Sequence, residues 1–282
     1  MRTTEPYLRA QAEADARRAL DEDVGSGDLT ADLIPPQRRM EATVISREPA
    51  VLCGREWFDA VYRLLDTEVT IDWLVKDGDS VTTDQVICQL TGPARSVVTG
   101  ERPALNFLQT LSGTATAARP YCEAVAGTGA RILDTRKTLP GLRVAQKYAT
   151  ACGGCQNHRQ GLFDAILIKE NHIHAAGSIA AAVRAARQLH PSVTVEVETE
   201  NLEEFREAIA VGADTIMLDN FSLEEMRAAR TIGGPGAVLE VSGNVDLDSV
   251  RAIAETGVDF ISVGAMTKHL RAIDLSMRFL QS

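Results

Sequence analysis

The stretch DTRKTLPGLR, residues 134 to 143, sets Arg136, Lys137 and Arg143 directly behind the apolar pair Ile132 and Leu133. Cations placed immediately after a strand-like run suit a small anion held at a strand end. Arginine grips planar carboxylates through two parallel hydrogen bonds, whereas lysine acts on phosphate as a point charge. The surroundings strengthen this reading. Residues 131 to 170 hold seven bases (Arg131, Arg136, Lys137, Arg143, Lys147, Arg159, Lys169) against three acids (Asp134, Asp164, Glu170), and His158 stands beside Arg159. The whole chain, by contrast, carries 29 basic and 39 acidic residues, a formal charge of −10. An acidic protein with one basic segment is suited to a small multivalent anion. It lacks the broad basic field that nucleic acid or an anionic membrane requires, and neither is expected as a partner.

Other residues of reactive type recur at the ends of short apolar runs. FDAILIK ends at Lys169 and is followed by Glu170, Asn171 and His172. VTVEVE ends at Glu198, and ADTIMLDN at Asp219 and Asn220. AVLEVSGN ends at Ser242, Gly243 and Asn244, and DFISVGA at Val263, Gly264 and Ala265. Acids opposite cations suit sugar hydroxyls or magnesium. Glycine turns after late strands expose backbone N–H groups to a phosphate.

These residues need elements that bring them to one place. Apolar runs rich in Val, Ile and Leu, alternating with helical stretches, indicate parallel strands covered on both faces. With ARILDT there are six such runs from about Thr116 to Leu270. Six is short of the eight strands of a closed barrel. The expected fold class is α/β: an incomplete parallel β/α barrel with an N-terminal α+β sandwich domain. The expected domains are residues 1–115 and 116–282, with a C-terminal helix packing back on the first. A long helical region is expected from about Glu101, with Pro103 in its first turn, where proline is tolerated.

Several classes are set aside. No apolar run approaches the ~18 residues of a membrane span. The N-terminal stretch lacks the apolar core of a signal peptide. The five cysteines form no disulfide framework, so a reducing cytoplasm is expected. CGGCQNH, Cys152 to His158, reads C-x-x-C-x-x-H and offers three zinc-ligand types, with His172 and His174 downstream. A zinc-dependent binding protein is therefore a competing reading.

TRKTLPGLRVAQKYATACGGCQNHRQGLFDAILIKENH closely resembles the signature region of the quinolinate phosphoribosyltransferases (nicotinate-nucleotide pyrophosphorylases, carboxylating). EDVGSGDLT, ERPALNFLQTLSGTAT, VEVETENLEE, DTIMLDNF, EVSGNV and DFISVGAMTKH resemble further family segments, in family order and over nearly the whole chain. The resemblance implies transfer of phosphoribosyl from phosphoribosyl pyrophosphate to quinolinate with decarboxylation. The products are nicotinate mononucleotide, pyrophosphate and carbon dioxide, in de novo NAD synthesis. It implies magnesium with the phosphoribosyl pyrophosphate, near Glu198 and Asp219 but with no residue fixed as a direct ligand, and no organic cofactor. It implies a homodimer, possible larger assemblies left open, in which Arg102 reaches the neighbouring site. Catalytic roles fall to Lys137, Glu198 and Asp219. Binding roles fall to Arg102, Thr135, Arg136, Lys137, His158, Arg159, Lys169, Glu198 and Asp219. The 5′-phosphate loops would be Ser242, Gly243, Asn244 and Val263, Gly264, Ala265. Cys155 departs from the family pattern, where a small residue, often glycine, is usual; it removes no cation. A related phosphoribosyltransferase with another acceptor, of the molybdenum-transport-associated branch, is the nearer alternative.

Overall fold

The computed structural model describes residues 5–280. In chain order they form Glu5–Asp23 (α1), Arg39–Ser46 (β1), Ala50–Val51 (β2), Arg55–Leu65 (α2), Thr70–Trp73 (β3), Ser80–Val81 (β4), Val86–Pro93 (β5) and Ala94–Ala124 (α3). Next come Arg131–Leu133 (β6), Arg143–Cys152 (α4), Ile166–Ile168 (β7), Glu170–Ala176 (α5), Ile179–Leu189 (α6), Val195–Thr199 (β8), Leu202–Ala210 (α7) and Thr215–Asp219 (β9). Leu223–Gly233 (α8), Leu239–Ser242 (β10), Val250–Ala254 (α9), Phe260–Ser262 (β11), Ala265–Lys268 (α10) and Leu275–Phe279 (β12) complete the chain. These elements divide into two units, neither continuous in sequence. One holds Pro120–Lys137 and Cys155–Ala265; the other holds the described residues up to Arg119, Thr138–Gly154 and those from Met266 on.

The second of these units is built on an antiparallel sheet in the order β12-β1-β5-β3. Helix α2 buries Trp57, Phe58, Val61 and Tyr62, the i, i+1, i+4, i+5 spacing of one helical face. Phe58 meets Tyr62 and Trp73 at ring-centroid distances of 5.4 and 5.3 Å. Asp77 accepts hydrogen bonds from the N–H groups of Gly54 (3.1 Å) and Arg55 (3.3 Å) at the start of α2, and from the Tyr148 hydroxyl (2.9 Å). That carboxylate therefore satisfies amides the helix cannot pair internally.

Two elements differ from the sequence expectation. The closing segment is strand β12 rather than a helix. Leu275 and Met277 are buried at alternate positions, the period of a strand, and the segment pairs antiparallel with β1 from Ala42↔Phe279 to Ser46↔Leu275. Helix α3 starts at Ala94, so Pro103 lies in its interior, not its first turn. Burial of Val97, Ala104, Leu105 and Leu108 outweighs the backbone hydrogen bond that the proline forfeits.

The other unit is the α/β part expected from the sequence. Six parallel strands run in the order β6-β11-β10-β9-β8-β7. The first strand pairs with the last, and every other pairing is between consecutive strands. Only the β6–β7 pairing is missing, which makes this a β/α barrel with one open seam. Helices α6, α7 and α8 are capped by Ser178, Asn201 and Ser222, the residues before them, whose side chains accept from the first-turn amides. The chain can therefore turn sharply from strand end to helix, leaving the strand ends uncovered.

Candidate active site

The site is assembled first at the open seam. Gln156 forms an isolated parallel bridge with Leu133 of β6. Its N–H donates to Ile132 O (2.8 Å), and its carbonyl accepts from Asp134 N (3.1 Å). Asp134, wholly buried, accepts from the His158 N–H (2.9 Å) and the Asn157 amide (2.6 Å). One buried carboxylate thus joins the TRK segment after β6 to the NHR segment beside it.

The joined segments and the neighbouring strand ends line a cavity of about 170 Å³. Its lining includes Thr135, Arg136, Lys137, His158, Arg159, Lys169 and Ser242, with Leu167, Met217, Glu240 and Ser262 deeper on the strands. Lys169 forms an ion pair with Glu198. The Nε atoms of Arg136 and Arg159 are buried without a hydrogen-bond partner. Arg159 does donate from Nη1 to Ala165 O (3.0 Å). Burial, and next the charge of Arg136, hold the Arg159 pKa below its ordinary value. Two guanidinium groups repel each other across a partly dry cavity, and an anion between them would relieve both the repulsion and the unpaired donors.

Below these cations lie two carboxylates. His158 Nε2 is 2.9 Å from Glu196 Oε2 and 3.5 Å from Glu240 Oε2. Burial alone would lower the imidazole pKa, but hydrogen bonds and charge from Glu196 and Glu240 outweigh it and push it up to about 10. Burial raises the Glu196 pKa, and the charge of Glu240 adds to that rise. The Ser262 hydroxyl donates to Glu240 Oε1 (2.5 Å), whereas Glu196 Oε1 is buried without a partner. Neither acid was singled out from the sequence. Strand periodicity was the available signal: Glu196 shares a face with Glu198, and Glu240 with Ser242.

The acidic rim and the glycine turns follow. Burial first, and next the charge of Glu198, raise the Asp219 pKa, while Lys169 and Lys137 oppose the rise. Asn220 (φ 56°), Gly243 (φ 103°) and Asn244 (φ 47°) are left-handed, and the Asn244 amide reaches Asn220 Oδ1 (3.4 Å). A Cβ at residue 243 would come within 2.2 Å of Asn220 Oδ1, so only glycine fits this conformation and approach. A Cβ at residue 264 would meet the Lys137 stem at 2.9 Å. The Val263 N–H is already donated to Leu133 O (2.9 Å), so of the three residues expected in that turn it offers no amide to a ligand.

Comparison with known proteins agrees along the chain. Residues 28–112 and 114–278 match the N- and C-terminal domain models of quinolinate phosphoribosyl transferase. The chain belongs to the quinolinate phosphoribosyl transferase family. A probable nicotinate-nucleotide pyrophosphorylase (carboxylating) of Synechocystis is 43% identical over 267 residues, covering 93% of this chain and 90% of the relative. The nicotinate-nucleotide pyrophosphorylase (carboxylating) of Mycobacterium leprae is 39% identical over 271 residues, covering 93% and 94%. The nicotinate-nucleotide pyrophosphorylase structure from Francisella tularensis superposes with a TM-score of 0.94 at 48% identity, covering 96% and 97% of the two chains.

Membership in this phosphoribosyl transferase family agrees with the cavity and not with a zinc centre. The expected C-x-x-C-x-x-H ligands are not brought together. Cys152 packs against the buried core that holds Cys53, whereas Cys155 Sγ lies 3.0 Å from Cys122 Sγ. The intervening Gly153–Gly154 turn sends the two thiols to different neighbours. Among the described residues, the donor side chains that do converge are His158, Glu196 and Glu240. Arg102 is exposed on α3, in the antiparallel-sheet unit, and does not line the cavity. No helix among the described residues is long and apolar enough to cross a membrane.

Proposed function

We propose that the chain transfers phosphoribosyl from phosphoribosyl pyrophosphate to quinolinate and releases nicotinate mononucleotide, pyrophosphate and carbon dioxide in NAD biosynthesis. The observation that carries the reading is the pair of buried, unpartnered guanidinium Nε atoms of Arg136 and Arg159 in one cavity. Quinolinate carries two adjacent carboxylates on a flat ring, which suits two guanidinium forks. Arg136, Arg159, Lys169 and His158 bind these carboxylates and aim the ring nitrogen at C1 of the ribose. Thr135 positions the adjoining loop, its hydroxyl accepting from the Lys137 N–H (3.1 Å). Ser242, Gly243, Asn244, Gly264 and Ala265 surround the 5′-phosphate.

The nitrogen lone pair forms the new bond to C1 as the C1–oxygen bond breaks and its electron pair leaves on pyrophosphate. Lys137 holds that leaving group, and Glu198 and Asp219 offset positive charge growing on the sugar. These two carboxylates are oxygen donors side by side, a set that fits the magnesium carried by phosphoribosyl pyrophosphate; the ion neutralises diphosphate charge when bound. In the second step the bond from C2 to its carboxylate breaks and its electrons stay on C2, next to a nitrogen that is now cationic. A proton then replaces the carbon dioxide. No organic cofactor is needed for that loss.

The enzyme acts as a cytoplasmic homodimer, with Arg102 contributing to the partner's site. The purified protein mixed with quinolinate, phosphoribosyl pyrophosphate and magnesium is expected to form nicotinate mononucleotide, followed by chromatography, only when all three are present. Binding of phosphoribosyl pyrophosphate without product would reject quinolinate as the acceptor.

A further inference from the structure

We propose that Glu196 and Glu240 are positioning residues that hold His158 as a cation beneath the carboxylate-binding arginines, so that acceptor affinity does not depend on pH around neutrality. The inference rests on the proposed acceptor, because it assigns His158 to the same anion site. An unassisted imidazole beside Arg136 and Arg159 would lose its proton, since neighbouring cations and burial both disfavour its charged form. The structure supplies opposing groups from three sides. Asp134, after β6, fixes the His158 backbone; Glu196 reaches Nε2 from β8 and Glu240 from β10. Arg136, Lys137, Arg159 and the Glu198-paired Lys169 are the cations of the same cavity.

Two observations distinguish this arrangement from an ordinary buried ion pair. First, it has two acids for one imidazole, and Ser262 fixes the orientation of Glu240. Second, Glu196 Oε1 stays buried and unpartnered, a cost that a purely structural network would avoid. Both acids lie on strands whose next same-face residues, Glu198 and Ser242, stand at the rim. Their placement follows from the strands that build the site.

The test compares wild type with Glu196→Gln and Glu240→Gln, which keep the shape and remove one charge each. Thermal melting checks that both variants fold. Wild type is expected to hold a flat KM for quinolinate from about pH 6 to about pH 8.5. Each variant should match it at the acid end and lose about tenfold in KM at the alkaline end, with the KM for phosphoribosyl pyrophosphate changed less than about twofold. Nitrogen-15 imidazole spectra should show His158 titrating at lower pH in either variant. An equal KM loss at both ends of the range, an unmoved His158 titration, or a stoichiometric metal ion that the substitutions remove would overturn the inference. Because the spectra need no turnover, a lowered His158 titration without any quinolinate reaction would uphold the clamp and reject the acceptor.

Discussion

Two carboxylates, the half-buried Asp77 in one unit and the buried Glu196 in the other, are treated in opposite ways. Asp77 accepts hydrogen bonds from neutral donors, two amides at the start of α2 and the Tyr148 hydroxyl, with the Arg55 charge nearby. Burial raises its pKa, and those hydrogen bonds offset the rise. Glu196 has an imidazole on one oxygen, a second acid beside it and nothing on the other oxygen. The first arrangement completes hydrogen bonds that the fold itself leaves open. The second leaves hydrogen bonds open within the fold, as do Arg136 and Arg159 above it. A buried charge satisfied by neutral backbone is a structural group; buried charges facing one another with donors to spare mark a place for a ligand.

The contrast can be broken most directly at Arg136. Arg136→Ala is expected to cut kcat/KM for quinolinate by about a thousandfold, the loss of a desolvated ionic contact, while the melting temperature changes little. Steady-state kinetics with a parallel melting curve would check it, and near-normal activity would remove Arg136 from the carboxylate site. Asp77→Ala should do the reverse. Losing the helix-start acceptor and the Tyr148 partner should cost about 2–4 kcal/mol in urea unfolding and leave kcat/KM within about twofold. A large kinetic loss at unchanged stability would collapse the distinction.

The smallest expected effect is on the pH dependence of stability. His158 has a folded pKa of about 10 against an ordinary 6.5. The folded state then binds more protons than the unfolded state between those values, so stability falls as pH rises. The contribution of His158 is complete below 6.5 and is lost as pH passes through about 10. Urea midpoints across this range should slope downward for wild type and less so for His158→Gln; equal slopes would show that His158 is not the group responsible.

Much of the β/α unit was legible because its signals are local. Apolar runs mark strands buried on both faces, and the cations and glycines at their ends follow from those runs. Strand ends were read late at β6, β7, β10 and β11, which stop at Leu133, Ile168, Ser242 and Ser262, most of all at β6, where Asp134 continues in hydrogen bonds to a segment 23 or 24 residues away. The two acids under His158 escaped notice because a glutamate flanked by apolar residues resembles an interruption of a core strand. Its meaning depends on the histidine that another segment brings to it. Strand β12 escaped because its partner, β1, lies at the other end of the chain. The α3 start escaped because the packing of Val97 and its neighbours, not Pro103, decides where the helix begins.

The pairing of β12 with β1 also constrains how the protein is made. A ribosome delivers Arg39–Ser46 long before Leu275–Phe279, yet the two are neighbours in one sheet. Until Leu275–Phe279 emerges, β1 has a partner only at β5 and keeps one edge of unpaired backbone groups. The antiparallel sheet therefore closes only after Leu275–Phe279 has been made, and a nascent chain stalled before Leu275 presents an open edge to other chains.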